Sequence, residues 1–329
     1  MPFIDHNEYE TKRGFNYKFV ALVLGLLSLF QAIFLLICLC VSLHYHDDGF
    51  KALLTTICLN FVVGLPLVLY GKGQNSYDTG RREGMVTVTL SWVLISLLGM
   101  MPYLLGGFIP NVSEAFFESM SGFSTTGASI LTDIEALPRS ILLWRSITQW
   151  IGGIGIIVFI VALVPFAGES ASVVYDHETT GITHDRFVPR IGVMAKWIMF
   201  IYIILSILCV LLLWAGPFTL YEAVCHAATC ISTGGFSIYN LSIAEVNSDY
   251  INIVLTIFML IGSTSFTLIY FATVRKEPKK LFQDSEFQWF ISIIVVISIA
   301  SALWLYFGEY YTSFPKALEH ASFQVVSLI

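Results

Sequence analysis

Seven long apolar runs, at about 16–43, 51–70, 84–107, 139–166, 191–215, 249–273 and 286–307, dominate this chain. A helix rising about 1.5 Å per residue needs roughly 20 apolar residues to cross a 30 Å hydrocarbon core. Each run meets that length, so the sequence predicts seven spans and an all-α, polytopic membrane protein. Composition agrees. Only 12% of the 329 residues are charged and 56% are hydrophobic, whereas a soluble domain needs about 25% charged residues to cover its surface.

The first run follows a polar leader containing Glu8, Glu10, Lys12 and Arg13 and is too long for the apolar region of a signal peptide, so a cleaved leader is not expected. Basic residues set the orientation. With the N-terminus inside, 13 of the 17 Lys and Arg lie in cytoplasmic segments, and only Lys51, Arg139, Arg145 and Lys316 lie outside. The net charge of −6 carries little weight beside that asymmetry. Cys38, Cys40, Cys58, Cys209, Cys225 and Cys230 sit in or beside apolar segments without zinc-ligand spacing and read as small buried hydrophobes. Asn111-Val-Ser and Asn240-Leu-Ser match the glycosylation pattern, a weak signal alone.

The segments between spans carry a repeat. Pro110 to Gly127 follows the third span and Pro217 to Gly235 follows the fifth. At an offset of 108 residues, Glu114-Ala115 falls on Glu222-Ala223 and Thr125 on Thr233. A third copy begins near the end, where an offset of 98 places His320-Ala321 under Glu222-Ala223. The repeated unit is a span, a short half-apolar helix, a Ser/Thr/Gly loop and a second span, and such repeats often define an architecture. The boundaries expected are an accessory helix pair over 1–83, a first repeat over 84–190, a second over 191–284 and an incomplete third over 285–329.

The short segments 112–123 and 218–231 cannot cross a bilayer but suit re-entrant helices. A non-helical Ser-Thr-Thr-Gly stretch at membrane depth is tolerated only inside protein or beside a water-filled cavity. Glycine permits backbone angles that aim successive carbonyls one way, and a ring of carbonyls can replace a cation's hydration shell. The C-terminus of each re-entrant helix points its partial negative charge at the loop. One such loop alone would pass for an ordinary turn; two at one offset, each between spans on the same side, argue for a pore.

At these residues the chain resembles the Trk/Ktr/HKT superfamily of potassium transporters, and most closely its bacterial Trk branch. The resemblance runs over nearly the whole chain, through Glu118 to Ala128, Leu137 to Ser146, Gln149 to Ile156, Ser232 to Ser237 and Phe323 to Ser327. It implies helix–pore loop–helix repeats around a central pore, with two extra helices before the first. It also implies potassium uptake across the bacterial inner membrane, a homodimer in membrane lipid, and a cytoplasmic nucleotide-binding regulatory ring. Carried over to this sequence, the filter residues are Thr125, Thr126 and Gly127 in the first loop and Thr233, Gly234 and Gly235 in the second. Glycine at position 127, where sodium-favouring relatives often have serine, favours potassium. The family continues past the point matching Ile329 into a third filter, its following helix and a fourth repeat, so the chain is expected to be truncated or part of a longer protein. Potassium is then the transported ion, with no organic cofactor in this chain and no nucleic-acid partner.

Other residues have more modest readings. Glu114 and Glu222 suit the positive starts of the re-entrant helices. Arg145 is read first as snorkelling to the interface and second as a pair with Glu118 or Asp133. Gly152-Gly153-Ile-Gly155 suits close helix packing, with pore hinging as the alternative, and Ser263-Thr264-Ser265 suits back-bonding within the sixth span rather than pore lining. His44-Tyr-His46-Asp47-Asp48 marks a water interface rather than a metal site, and the cytoplasmic loop 167–190 reads as solvated or partner-facing. No enzyme signature is present. The rival readings are a sodium-permeable or ion-coupled carrier and a non-conducting regulatory or structural subunit.

Overall fold

In the computed structural model, residues 14–72, 81–155 and 191–328 are described. Two apolar helices, α1 (Tyr17–Tyr45) and α2 (Phe50–Gly71), form an antiparallel hairpin. Asn16 starts α1 by accepting a hydrogen bond from the Phe19 amide at 3.1 Å. Backbones meet in this hairpin: a Cβ on Gly25 would lie 2.7 Å from the Val68 nitrogen and 2.8 Å from the Gly64 carbonyl oxygen. Small residues permit such approach in lipid, where apolar burial gives helices no net drive to associate. The Ser28 hydroxyl donates to the Asn60 carbonyl at 2.9 Å.

The chain continues through α3 (Arg81–Gly99) and α4 (Met101–Leu105), offset at Met100 just before Pro102. Then come the short α5 (Val112–Phe123), α6 (Arg139–Ile154), α7 (Ile191–Trp214) and the short α8 (Leu220–Ile231). A 3₁₀ turn at Ser242–Glu245 precedes α9 (Asp249–Ser263), α10 (Phe266–Thr273) and α11 (Pro278–Gln283). The last elements are α12 (Ser285–Phe307) and α13 (Phe314–Leu328). Among the described residues five helical segments are long and apolar enough to cross a membrane, and the α9–α10 pair makes a sixth if taken together.

Two of the expected spans differ. The run 249–273 is broken by a bend of 96° between α9 and α10. Thr264 takes an extended conformation while its hydroxyl donates to Leu260 O at 2.9 Å. The back-bond foreseen for this Ser-Thr-Ser stretch is therefore present, but at a break, where a side-chain hydroxyl competes with the backbone ladder. In the run 139–166 the helix that starts at Arg139 ends at Ile154, where Gly155 adopts φ 73° and its amide closes on Gly152 O; residues 156–166 and the loop 167–190 lie outside the described residues.

Burial ranks the helices. On α12 only Ile294, Ser298 and Ala302 are buried, and Trp289, Val296 and Trp304 face outward, as expected of a helix apolar on every side in lipid. By contrast, α6 is enclosed along most of its length, with Trp144 at 0% exposure. The Trp144 indole donates to Gly99 O at 2.9 Å and meets Phe123 edge-on. A helix carrying Arg145, Gln149 and Thr148 thus runs through the centre of the molecule.

Candidate functional site

The short helices α5 and α8 begin on strong local signals. The Asn111 side chain accepts from the Ser113 amide at 3.0 Å, and its amide group reaches Glu114 at 3.3 Å. Thr219 and Glu222 form a full capping box, with the Thr219 amide donating to Glu222 Oε2 at 2.7 Å. Such a box satisfies two orphan donors at once, so both glutamates act at helix starts.

Both helices end in the same hydrogen-bonded cap. Thr125 N donates to Gly122 O and Thr126 N to Ser121 O; 108 residues on, Thr233 N donates to Cys230 O and Gly234 N to Thr229 O. This is the Schellman pattern, which ordinarily places glycine at the left-handed position. Here the position is threonine twice, Thr125 and Thr233, each at φ 53°. A β-branched residue at positive φ is a true outlier, and strain of about 1–3 kcal/mol persists only where the surroundings over-determine it. Two residues later Gly127 and Gly235 sit at φ 73° and 80°.

The two loops touch. A Cβ on Gly127 would overlap the Gly234 carbonyl oxygen, so only glycine fits there. Among the described residues no donor meets the carbonyls of Thr125, Thr126, Gly127, Thr233 or Gly235. Gly234 differs, because its carbonyl accepts from Gln149 Nε2 at 2.8 Å. Beyond each loop a serine turns the chain: Leu131 N donates to Ser129 Oγ, and Tyr239 N to Ser237 Oγ, again 108 apart. Ser129 Oγ donates to Glu118 at 3.0 Å, while His226, the counterpart of Glu118, places Nε2 3.3 Å from Ser237 Oγ.

Glycines let the neighbouring helices close on the loops. A Cβ on Gly152 would overlap the Phe123 carbonyl and come 3.1 Å from the Thr125 methyl. On α9, Gly262 stands likewise, 2.8 Å from Ile231 O and 3.3 Å from the Thr233 methyl. Gly153 would meet Ser232 Cβ at 2.5 Å and Tyr202 Oη at 2.6 Å. Close packing is therefore what the α6 glycines do.

Arg145 does not snorkel. Its side chain is 1% exposed and pairs with Glu118, 0% exposed, at 2.7 Å. Nε adds a bond to Glu118 Oε1 at 2.9 Å, Nη1 donates to Ser237 O at 3.1 Å, and Nη2 donates to Ser129 Oγ at 3.2 Å. The guanidinium lies 4.3 Å over the Phe236 ring. Full pairing is what makes a buried charge tolerable, and the fork geometry of arginine lets one residue bind segments following both loops. Sequence reasoning raised this pair only as the second choice, and it missed Gln149 entirely.

Asp47 was also missed. Its carboxylate accepts from Ser42 Oγ, from Gly49 N at 3.1 Å, and from Ser140 N at 2.9 Å and Oγ at 2.8 Å. It thereby caps the first turn of α6, where Pro138 provides no side-chain cap and a negative charge suits the helix dipole. Burial pushes the Asp47 carboxyl up, but the bonds from Ser42, Ser140 and Gly49 override it, leaving it below its usual 3.8. A carboxyl depressed on folding stabilises the fold above its unfolded pKa and loses that contribution as pH falls through the folded pKa. Thermal stability in detergent should fall more steeply below about pH 4 in the parent than in Asp47→Asn, which should be the less stable at neutral pH. Parallel acid slopes for the two proteins would refute the assignment. Among the described residues no group of His, Cys, Asp and Glu has metal-binding geometry, and all six cysteines are free.

Two short helices, each delivering an open loop against the other inside a shell of membrane-length helices, define a polytopic membrane protein built from pore-loop repeats. The sequence profile of the TrkH family, described as cation transport proteins, matches residues 50–325, and the chain belongs to that family. It is 33% identical over 318 residues to the Trk system potassium uptake protein TrkH of Vibrio parahaemolyticus, covering 95% of this chain and 65% of that one. Against TrkH of Escherichia coli the identity is 32% over 316 residues, with the same coverage. The crystal structure of the potassium transporter TrkH from Vibrio parahaemolyticus superimposes with a TM-score of 0.81 at 30% identity, over 95% of this chain and 64% of that one. The chain thus spans a little under two thirds of the length of these relatives.

Proposed function

We propose that this chain supplies part of a potassium-selective pore, as the pore-forming membrane subunit of a Trk-type uptake system. The observation that carries the reading is the pair of loops with matching caps and strained threonines, packed glycine against carbonyl, whose carbonyls at 125–127 and 233–235, other than that of Gly234, meet no donor among the described residues. On this reading the carbonyls of Thr125, Thr126, Gly127, Thr233 and Gly235 replace the water around a dehydrated potassium ion. Gly234, whose carbonyl Gln149 engages, supplies close spacing instead. The ion is cargo moving down its electrochemical gradient, with no organic cofactor and no bond-making step.

The same reading assigns residues 1–83 to an accessory helix pair, 84–190 and 191–284 to pore repeats, and 285–329 to the opening of a third. The asymmetry of Lys and Arg supports a cytoplasmic N-terminus, and resemblance to bacterial Trk proteins supports the inner membrane. That resemblance also supports a homodimer and a cytoplasmic nucleotide-binding ring as partners.

Expression of the complete gene should restore growth of potassium-uptake-deficient bacteria at low external potassium, with rubidium uptake that excess sodium does not block. Membrane-inserted protein that restores neither growth nor uptake would overturn the proposal. Rescue accompanied by sodium loading of the cells would transfer it to the sodium-permeable alternative.

A further inference from the structure

The geometry points to Gln149 as a specificity-determining positioning residue: from the helix that follows the first filter loop, it aims an ion-facing carbonyl of the second. This inference rests on the filter reading above. Gln149 is 0% exposed. Its Nε2 donates to Gly234 O at 2.8 Å, and its Oε1 accepts from Phe236 N at 3.0 Å. Those two bonds straddle Gly235 as a neighbouring strand would in a parallel ladder, bonding the residue before and the residue after.

The consequence follows from peptide geometry. In a trans peptide the carbonyl and the amide proton point in opposite directions. The peptide joining Gly235 to Phe236 turns its N–H towards Gln149, so its carbonyl, that of Gly235, points away from α6. Gly235 is exposed, at φ 80°, and a Cβ there would meet no atom within 4 Å. Among the described residues Gln149, from the preceding repeat, holds the N–H of this peptide, while Arg145 holds the adjoining Phe236 ring and Ser237 carbonyl. A neutral primary amide suits the task, offering a donor and an acceptor on one rigid plane without bringing charge beside the ion path.

The test uses the complete protein, purified and reconstituted, with potassium and sodium uptake measured separately. Gln149→Met keeps the length and apolar bulk but loses both bonds, and its potassium-over-sodium preference should fall about ten-fold. Gln149→Glu gives a second readout that a merely structural role would not move. Its ionised carboxylate cannot donate to Gly234 O, whereas its protonated form can, so preference should be low at alkaline pH and recover towards the parent value as pH falls. Arg145 and His226 bond the nearby Ser237, and Glu118 pairs with Arg145; all three are present in the parent too, so the parent's own pH profile is the reference. If Gln149→Met does not fold, the pH profile of Gln149→Glu decides. A preference within two-fold of the parent in Gln149→Met, or a flat profile in Gln149→Glu, would overturn the assignment. Gly127→Ser serves as the control: if it alters preference while the Gln149 variants do not, only the role of Gln149 fails. If none of them does, the filter reading fails as well.

Discussion

Replacing either Arg145 or Glu118 by leucine should cost about 3–5 kcal/mol, the range for removing one partner of a buried ion pair. Both side chains are essentially inaccessible and each is the other's only opposite charge among the described residues. The loss should appear as a large drop in melting temperature in detergent and in the amount of protein recovered from membranes. The double variant Glu118→Leu/Arg145→Leu separates two roles. Removing both charges of a buried pair is often neutral, so most of the stability should return. Ion selectivity should not return with it, because Arg145 also holds Ser237 O and Ser129 Oγ and covers the Phe236 ring. Single variants as stable as the parent would contradict the pairing. A double variant with parental selectivity would limit Arg145 to a structural part.

The second large effect is expected at Gly127. Serine there must accept φ 73° and place a Cβ against the Gly234 carbonyl oxygen. Left-handed backbone alone costs an L-residue about 1–2 kcal/mol, and the overlap must be relieved by moving one loop away from the other. Potassium-over-sodium preference should collapse and potassium throughput should fall. Gly235→Ala meets no neighbouring atom and carries only the backbone penalty, so it should lie between Gly127→Ser and the parent. Equal ion preference in all three proteins, measured as paired potassium and sodium uptake, would remove these loops from the conduction path.

The sequence was most legible where structure is locally encoded. Asn111 and the Thr219–Glu222 pair announce the starts of the re-entrant helices, and the offset of 108 reproduces the caps bond for bond. Long-range partners left no such trace. Gln149 reaches a carbonyl 85 positions away and Asp47 an amide 93 positions away, separations that neither periodicity nor capping rules span. Arg145 looked like an interfacial cation because it lies near the start of an apolar run, yet the described helix there, α6, is enclosed along most of its length. Hydropathy also hid the bend between α9 and α10: both arms are apolar, so the profile runs through it without a break.

The bracing of the second loop by α6 has a consequence for how the protein is made. Translation delivers about 5–20 residues per second, so Arg145 and Gln149 leave the ribosome several seconds before residues 232–237. When the second loop emerges, the helix that shapes it already exists, bearing a guanidinium and an amide side by side. The loop is cast against a finished surface laid down by the repeat before it, and the order of synthesis becomes part of the instructions for its conformation.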